Sequence, residues 1–198
     1  MMIRLCRRAL LIMPLVLVGA GLSLVGGRGY LGAKAALAAV LIDRAFARHL
    51  EDGLPHPPWP WADTHPIARL EVPRLGVSRS ILSNASGSSL AFGLGHISGT
   101  AAPGAPGNSG IAGHRDTWAA FLQDLRRGDL IRVRTHAAVE ICTVSGSRIV
   151  PKEEVSVLDP SPGRRLTLVT CYPFSGILRS PWRIVVDCLP GPSPTRTP

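Results

Sequence analysis

The sequence predicts a mainly β fold, a barrel or closed sandwich, carried behind an N-terminal membrane-spanning helix. Between residues 66 and 190, runs rich in Val, Ile, Leu and Thr are punctuated by Gly and Pro, at 67–72, 77–82, 110–112, 130–134, 139–144, 166–171 and 183–186. Many short strands separated by turn signals favour a sheet that closes on itself. Within the same span one stretch has helical spacing. Trp118, Phe121, Leu122 and Leu125 recur at i, i+3, i+4 and i+7, with Asp116 or Thr117 placed to cap the start and Gly128 to stop the end. The third observation lies at the N-terminus, where residues 9–27 carry no charged side chain and are about long enough to cross a bilayer as a helix.

In chain order, residues 1–8 contain Arg4, Arg7 and Arg8, and a positive flank stays cytoplasmic, so the chain after the apolar run is expected outside. A cleaved signal peptide competes, with small residues at 20–22 or 25–27. No Ala-x-Ala pattern closes the run, and an uncleaved signal anchor at 9–27 is the expectation. Residues 28–65 form a linker. Its first part, 33–50, is an amphipathic helical pattern in which Leu37, Val40, Leu41 and Ala45 stand against Arg44 and Arg48. Pro55, Pro57, Pro58 and Pro60 then exclude helix interior. This segment is either a stiff spacer or a place where Trp59 and Trp61 anchor in the lipid interface or dock on the next domain. Residues 66–190 are the globular domain, with 93–107, dense in Gly, Ala, Ser and Pro, expected as a loop of little local order. The polar, Pro-rich 191–198 is expected to be a disordered tail.

Composition narrows the function. The chain has 198 residues, and what remains after the anchor and linker suffices for one hydrophobic core. The formal net charge of +9 is almost wholly arginine. Those arginines are scattered, without the clustered, aromatic-interleaved patch that nucleic acid asks for, so the charge is read as topology and as attraction to anionic lipid or polymer.

Chemistry concentrates at three strand ends. With 166–171 as a strand, Leu166, Leu168 and Thr170 share one face and Thr167, Val169 and Cys171 the other. Cys171 then stands at a sheet rim, before the loop Tyr172-Pro173-Phe174-Ser175-Gly176. His114 ends another strand just before the helical stretch. Arg183 opens a third, as far after the intervening loop as Cys171 is before it, so antiparallel pairing sets the two almost opposite. Taken singly, a cysteine is most often buried structure. Together, thiol, imidazole and guanidinium are the nucleophile, proton carrier and fixed cationic donor of acyl transfer.

Through Gly113-His114-Arg115-Asp116, Thr167-Leu168-Val169-Thr170-Cys171-Tyr172-Pro173-Phe174 and Arg183, the sequence resembles the sortases, cysteine transpeptidases of bacterial surfaces, over about 66–189. Trp59-Pro60-Trp61-Ala62-Asp63, the Gly-rich 95–108 and the Cys-Tyr-Pro-Phe run look most like the group found in Gram-negative proteobacteria. The resemblance implies an eight-stranded barrel with one or two short helices, anchored in the bacterial inner membrane with its domain on the extracytoplasmic side. It implies a Cys171 thiolate that attacks the Thr–Gly bond of an LPxTG-like sorting signal on a protein substrate, a thioester, and transfer to an amine. His114 would carry protons and Arg183 would hold the oxyanion. Thr170, on the opposite strand face, is expected to pack in or brace the site, and it and His96 are the further substrate-groove candidates. The connection 150–163, with Lys152, Glu153 and Glu154, would help form the groove, or is simply a solvated charged turn. Two rivals stand beside this: a cysteine peptidase that releases the acyl group to water, and an inactive barrel acting as a membrane-anchored binding protein. Papain-like folds set the Cys at a helix start and the His later, whereas here the order is His, Cys, Arg.

Of the remaining cysteines, Cys6 falls on the cytoplasmic side. Cys142 and Cys188 each lie in a strand and either pair as a disulfide or stay two buried thiols, since spacing alone does not fix their distance. Neither a zinc spacing nor a phosphate loop or dinucleotide fingerprint is present, so no metal or cofactor is expected.

Overall fold

The computed structural model describes residues 33–176 and 180–191. The basic 1–8, the anchor expected at 9–27 and the tail from 192 lie outside the described residues. Among the described residues no helix is long and apolar enough to cross a membrane. The chain divides into two compact units, residues 1–40 and 41–198, and the described part of the first, 33–40, is helical.

Within the second unit, helix α1 covers residues 41–52. It ends where Gly53 adopts φ +73°, a left-handed conformation that glycine takes without strain and that lets its N–H close on the His49 carbonyl at 2.9 Å. In the second unit Ile42, Ala45 and Phe46 are buried. The Arg69 guanidinium sits 5.2 Å from the Phe46 ring centroid and bonds Asp43, while His136 Nδ1 lies 3.0 Å from the Leu50 carbonyl. The Pro-rich segment after it is non-helical, as the prolines require. Trp59 docks edge-on against Phe92 at 5.0 Å, whereas Trp61 is 83% exposed.

Eight strands follow: β1 (Pro66–Val72), β2 (Val77–Leu82), β3 (Leu94–His96), β4 (Asn108–Ala112), β5 (Leu130–Arg134), β6 (Val139–Pro151), β7 (Arg165–Tyr172) and β8 (Trp182–Pro190). They close into a barrel in the order β1-β2-β3-β4-β7-β8-β6-β5. Strands β2 with β3 and β4 with β7 are parallel; the other pairs are antiparallel. Two-residue periodicity drives closure. In β1 Ala68, Leu70 and Val72 are buried while Ile67, Arg69 and Glu71 are half-buried on the other face. The inward set meets Ile81, Leu94, Ile111, Ile131, Val133, Val144, Leu166, Leu168 and Val186 in one core.

Three expectations are corrected. The segment 93–107 is not all loop: Leu94–His96 forms β3, a three-residue strand too short and too glycine-rich to announce itself by alternation. The stretch after His114 is a 3₁₀ helix (Ala120–Asp124), with no side-chain cap from Asp116 or Thr117. Its apolar spacing nonetheless does its packing work, since Phe121 and Leu122 are buried in the core and Trp118 and Leu125 pack against it. Strand β6 also runs seven residues past the expected 139–144, continuing beyond a bulge between Val144 and Gly146 to pair along β8.

One buried carboxylate ties the turns together. Asp129 accepts from Arg74 Nε at 2.5 Å, Arg74 Nη2 at 2.6 Å and the Arg126 N–H at 2.7 Å. The Arg74 guanidinium holds the Asp129 carboxyl below its ordinary value.

Candidate active site

Parallel pairing of β4 with β7 and antiparallel pairing of β7 with β8 bring the three expected residues to one rim. Ala112 is opposite Val169, and the Gly113 N–H reaches the Val169 carbonyl at 3.3 Å, so the next step along each strand sets His114 level with Cys171. Cys171 is directly opposite Arg183. Cys171 and Arg183 leave the sheet on its outer face, because Leu166 and Leu168 take the inner one. Cys171 is half-buried and His114 exposed. The Arg183 Nη1 donates to the carbonyls of Ser180 at 3.0 Å and Trp182 at 2.9 Å, which anchors the guanidinium at the start of β8.

Thr170 is where the alternation puts it, 2% exposed on the inner face. Its hydroxyl donates to the Gly113 carbonyl at 2.7 Å, fixing the residue that precedes His114. It braces the rim from behind and does not face the same side as Cys171. His96 is not brought to the rim: it pairs with Ile111, three residues before His114, and its Nε2 lies 2.9 Å from the Ala101 carbonyl and 3.1 Å from Thr100 Oγ1. It ties down the 97–101 turn. The groove role expected of His96 has no geometric support, because a histidine in a short strand looks the same in sequence wherever that strand leads.

Two residues that sequence reasoning left without a role hold the connections on either side. Arg115, within the Gly-His-Arg motif, donates through Nη1 to the Pro173 carbonyl at 2.9 Å and through Nη2 to the Gly176 carbonyl. It thereby clasps the loop that follows Cys171. A Cβ at Gly176 would lie 2.9 Å from Arg115 Nη1, so any side chain there displaces the guanidinium from this position. On the other side Asn108 is 2% exposed; its Nδ2 donates to the carbonyls of Val157 and Asp159, both at 3.1 Å, and its Oδ1 accepts from the Thr167 hydroxyl at 2.7 Å. These bonds seat the 3₁₀ helix Ser156–Leu158 of the β6–β7 connection on the outer face of β4 and β7. Lys152, Glu153 and Glu154 of the same connection are exposed. The outer face leading to Cys171 is thus bordered by two connections, each pinned by a side chain rooted in or beside β4.

Cys142 and Cys188 are two free, buried thiols with no disulfide between them. Among the described residues no group of three or more His, Cys, Asp or Glu could hold a metal ion.

A thiol, an imidazole and a guanidinium thus stand at three neighbouring strand ends of a closed eight-stranded barrel. A family model for the sortase domain matches residues 70–190. Sortase D of Bacillus subtilis is 28% identical over 118 residues, covering 59% of this chain and 60% of that protein. Among solved structures, sortase C-1 of Actinomyces oris superposes with a TM-score of 0.58 at 30% identity, covering 64% of this chain and 75% of that one. Sortase A of Corynebacterium diphtheriae shares the fold with a TM-score of 0.61 at 24% identity, covering 69% of this chain and 66% of that one. The chain belongs to the sortase family, and it spans about 60% of the length of the curated relative it matches.

Proposed function

We propose that this protein is a membrane-anchored sortase that cleaves an LPxTG-like sorting signal between Thr and Gly and transfers the acyl group to an amine. The observation that carries this is the register of three strands, which sets His114, Cys171 and Arg183 at one rim. The Cys171 thiolate attacks the threonine carbonyl. The oxyanion forms beside the anchored Arg183 guanidinium, two of whose five N–H groups go to the Ser180 and Trp182 carbonyls. His114 protonates the departing glycine amine, leaving a thioester on Cys171, and then takes a proton from the incoming amine as it attacks. The signal lies along the outer face of β4 and β7, between the connections held by Asn108 and Arg115. The uncharged run 9–27 behind three arginines supports a single-pass anchor in the inner membrane, with the barrel on the extracytoplasmic side.

Incubating the protein with a small library of LPxTG-like peptides, with hydroxylamine to trap the acyl group, tests the reaction. The expected product is a hydroxamate at threonine from peptides with an apolar residue before the proline, with loss of turnover when the threonine is changed. Absence of hydroxamate from every peptide, with Cys171 reduced and the protein folded, refutes the reading. Hydroxamate with no transfer to any amine assigns the chemistry to peptide hydrolysis instead.

A further inference from the structure

We propose that Cys142 and Cys188 are a second thiol site, an oxidation site at the end of the barrel away from Cys171, where a small-molecule disulfide converts the pair to a disulfide joining β6 to β8. Both side chains point into the core from neighbouring antiparallel strands. Cys142 is opposite Pro190 and Val144 is opposite Cys188, so the two cysteines are diagonal partners on one face. Diagonal partners have Cβ atoms somewhat less than about 7–8 Å apart. A disulfide needs Cβ atoms about 3.5–4.5 Å apart. The remaining approach is short, and the bulge between Val144 and Gly146 lies at the place where β6 must give.

Access sets this pair apart from an inert buried couple. A cavity of about 430 Å³ opens at this end of the barrel, and both cysteines line it together with Ser109, Val133, Leu166 and Pro190. Leu166 is near the start of β7 and Cys171 near its end, so the cavity and the rim are at opposite ends of the same strand. Cys142 retains 9% exposure while Cys188 has none. Cys142, the member of the pair that an incoming reagent can reach, is the entering nucleophile. In the first step Cys142 loses its proton, its sulfur attacks the S–S bond of the reagent, and one reagent thiolate leaves. In the second, Cys188 loses its proton and attacks the Cys142 sulfur, expelling the other reagent thiolate. The pair gives up two electrons and two protons, and the reagent disulfide is reduced to two thiols. The closed loop contains all of β7, so oxidation tethers the strand that carries Cys171 without touching that residue.

The test uses the full chain in detergent micelles, verified as folded by circular dichroism and equilibrated in graded mixtures of reduced and oxidised glutathione. Each sample is then unfolded, alkylated and mapped by peptide mass spectrometry. Expected are the loss of two alkylatable thiols per chain, a linked peptide joining Cys142 to Cys188 that is two hydrogens lighter than its parts, and an upward shift of the denaturant midpoint relative to the reduced form. Cys188→Ser and Cys142→Ala should each abolish the linked peptide and the shift. Recovery of both cysteines as alkylated thiols or as separate glutathione adducts at the most oxidising mixture overturns the proposal. A link from either cysteine to Cys171 or Cys6 overturns it as well.

Discussion

At the residue scale, Cys171 and Arg183 face each other across one ladder step, and their substitution separates chemistry from folding. Cys171→Ala removes a half-buried thiol at a strand end, so the fold should persist while thioester formation falls by more than about a thousandfold, as it does when one member of a catalytic unit is lost. Intact-mass detection of an acyl-enzyme after peptide addition checks this, and an acylated Ala variant would dismiss the nucleophile. Arg183→Lys should cost about a hundredfold or more in kcat. Arginine already spends Nη1 on two carbonyls and still offers a rigid fork, whereas an ammonium cannot hold that anchor and present further fixed donors. Comparable turnover by the Lys variant would reduce the residue to a diffuse positive charge. These residues were legible in the sequence because strand alternation fixes which face each side chain takes and equal loop offsets fix who stands opposite. Thr170 was legible for the same reason, as the residue of the other face. His96 was not, because its place depends on a pairing with Ile111 that nothing local encodes.

At the scale of elements, the β7–β8 loop owes its position to Arg115, and two unlike substitutions should show the same defect. Arg115→Ala removes the donors to Pro173 and Gly176, and Gly176→Ala drives a methyl into the guanidinium. Both should lower kcat/KM for peptide by about tenfold to a hundredfold, the scale of a misplaced reacting group, while the rate of Cys171 alkylation by a small iodoacetamide is unchanged. Equal losses in alkylation and turnover would mean that the thiol itself had moved. A second element-level prediction concerns the Asp129 clasp. Its carboxyl is held below the ordinary 3.8, chiefly by the Arg74 hydrogen bonds, so its contribution is fully present above that value and is lost as pH falls through the folded-state value. Asp129→Ala should destabilise by about 1–3 kcal/mol at neutral pH, because it strips partners from Arg74 and the Arg126 N–H. The difference from wild type should shrink on acidification below 3.8; a pH-independent difference in denaturant midpoint would assign the loss to packing. Element boundaries show where sequence reasoning stops. β2 and β5 are readable to the residue because turn signals flank both, and in β5 burial also alternates without a break. The far half of β6 is not, since Ser145, Gly146, Ser147 and Arg148 read as turn or solvent, and only pairing along β8 makes them strand.

At the scale of the whole molecule, closure of the barrel is the step sequence patterns support least directly, because it depends on the β1–β5 pairing across residues far apart in the chain. The class of fold was readable from strand number and turn spacing; strand order was not. The same scale decides where the stable domain begins. The Pro-rich segment looks like a boundary in sequence, and a fragment starting at Trp61 would keep all eight strands. It would nevertheless lose Ile42, Ala45 and Phe46, which are buried, along with the Phe46 contact to Arg69 and the Trp59 contact to Phe92. Fully burying one large apolar side chain is worth about 1.5–3 kcal/mol, so deleting the Ile42 and Phe46 contacts alone should cost on the order of 3 kcal/mol or more, enough to threaten a domain of this size. A fragment beginning at Leu41 should therefore unfold at a clearly higher denaturant concentration than one beginning at Trp61. The shorter fragment should also expose Arg69 and Phe92 to solvent, detectable as faster amide exchange in β1 and around residue 92. Identical midpoints for the two fragments would mean that α1 only lies against the barrel and contributes nothing to holding it closed.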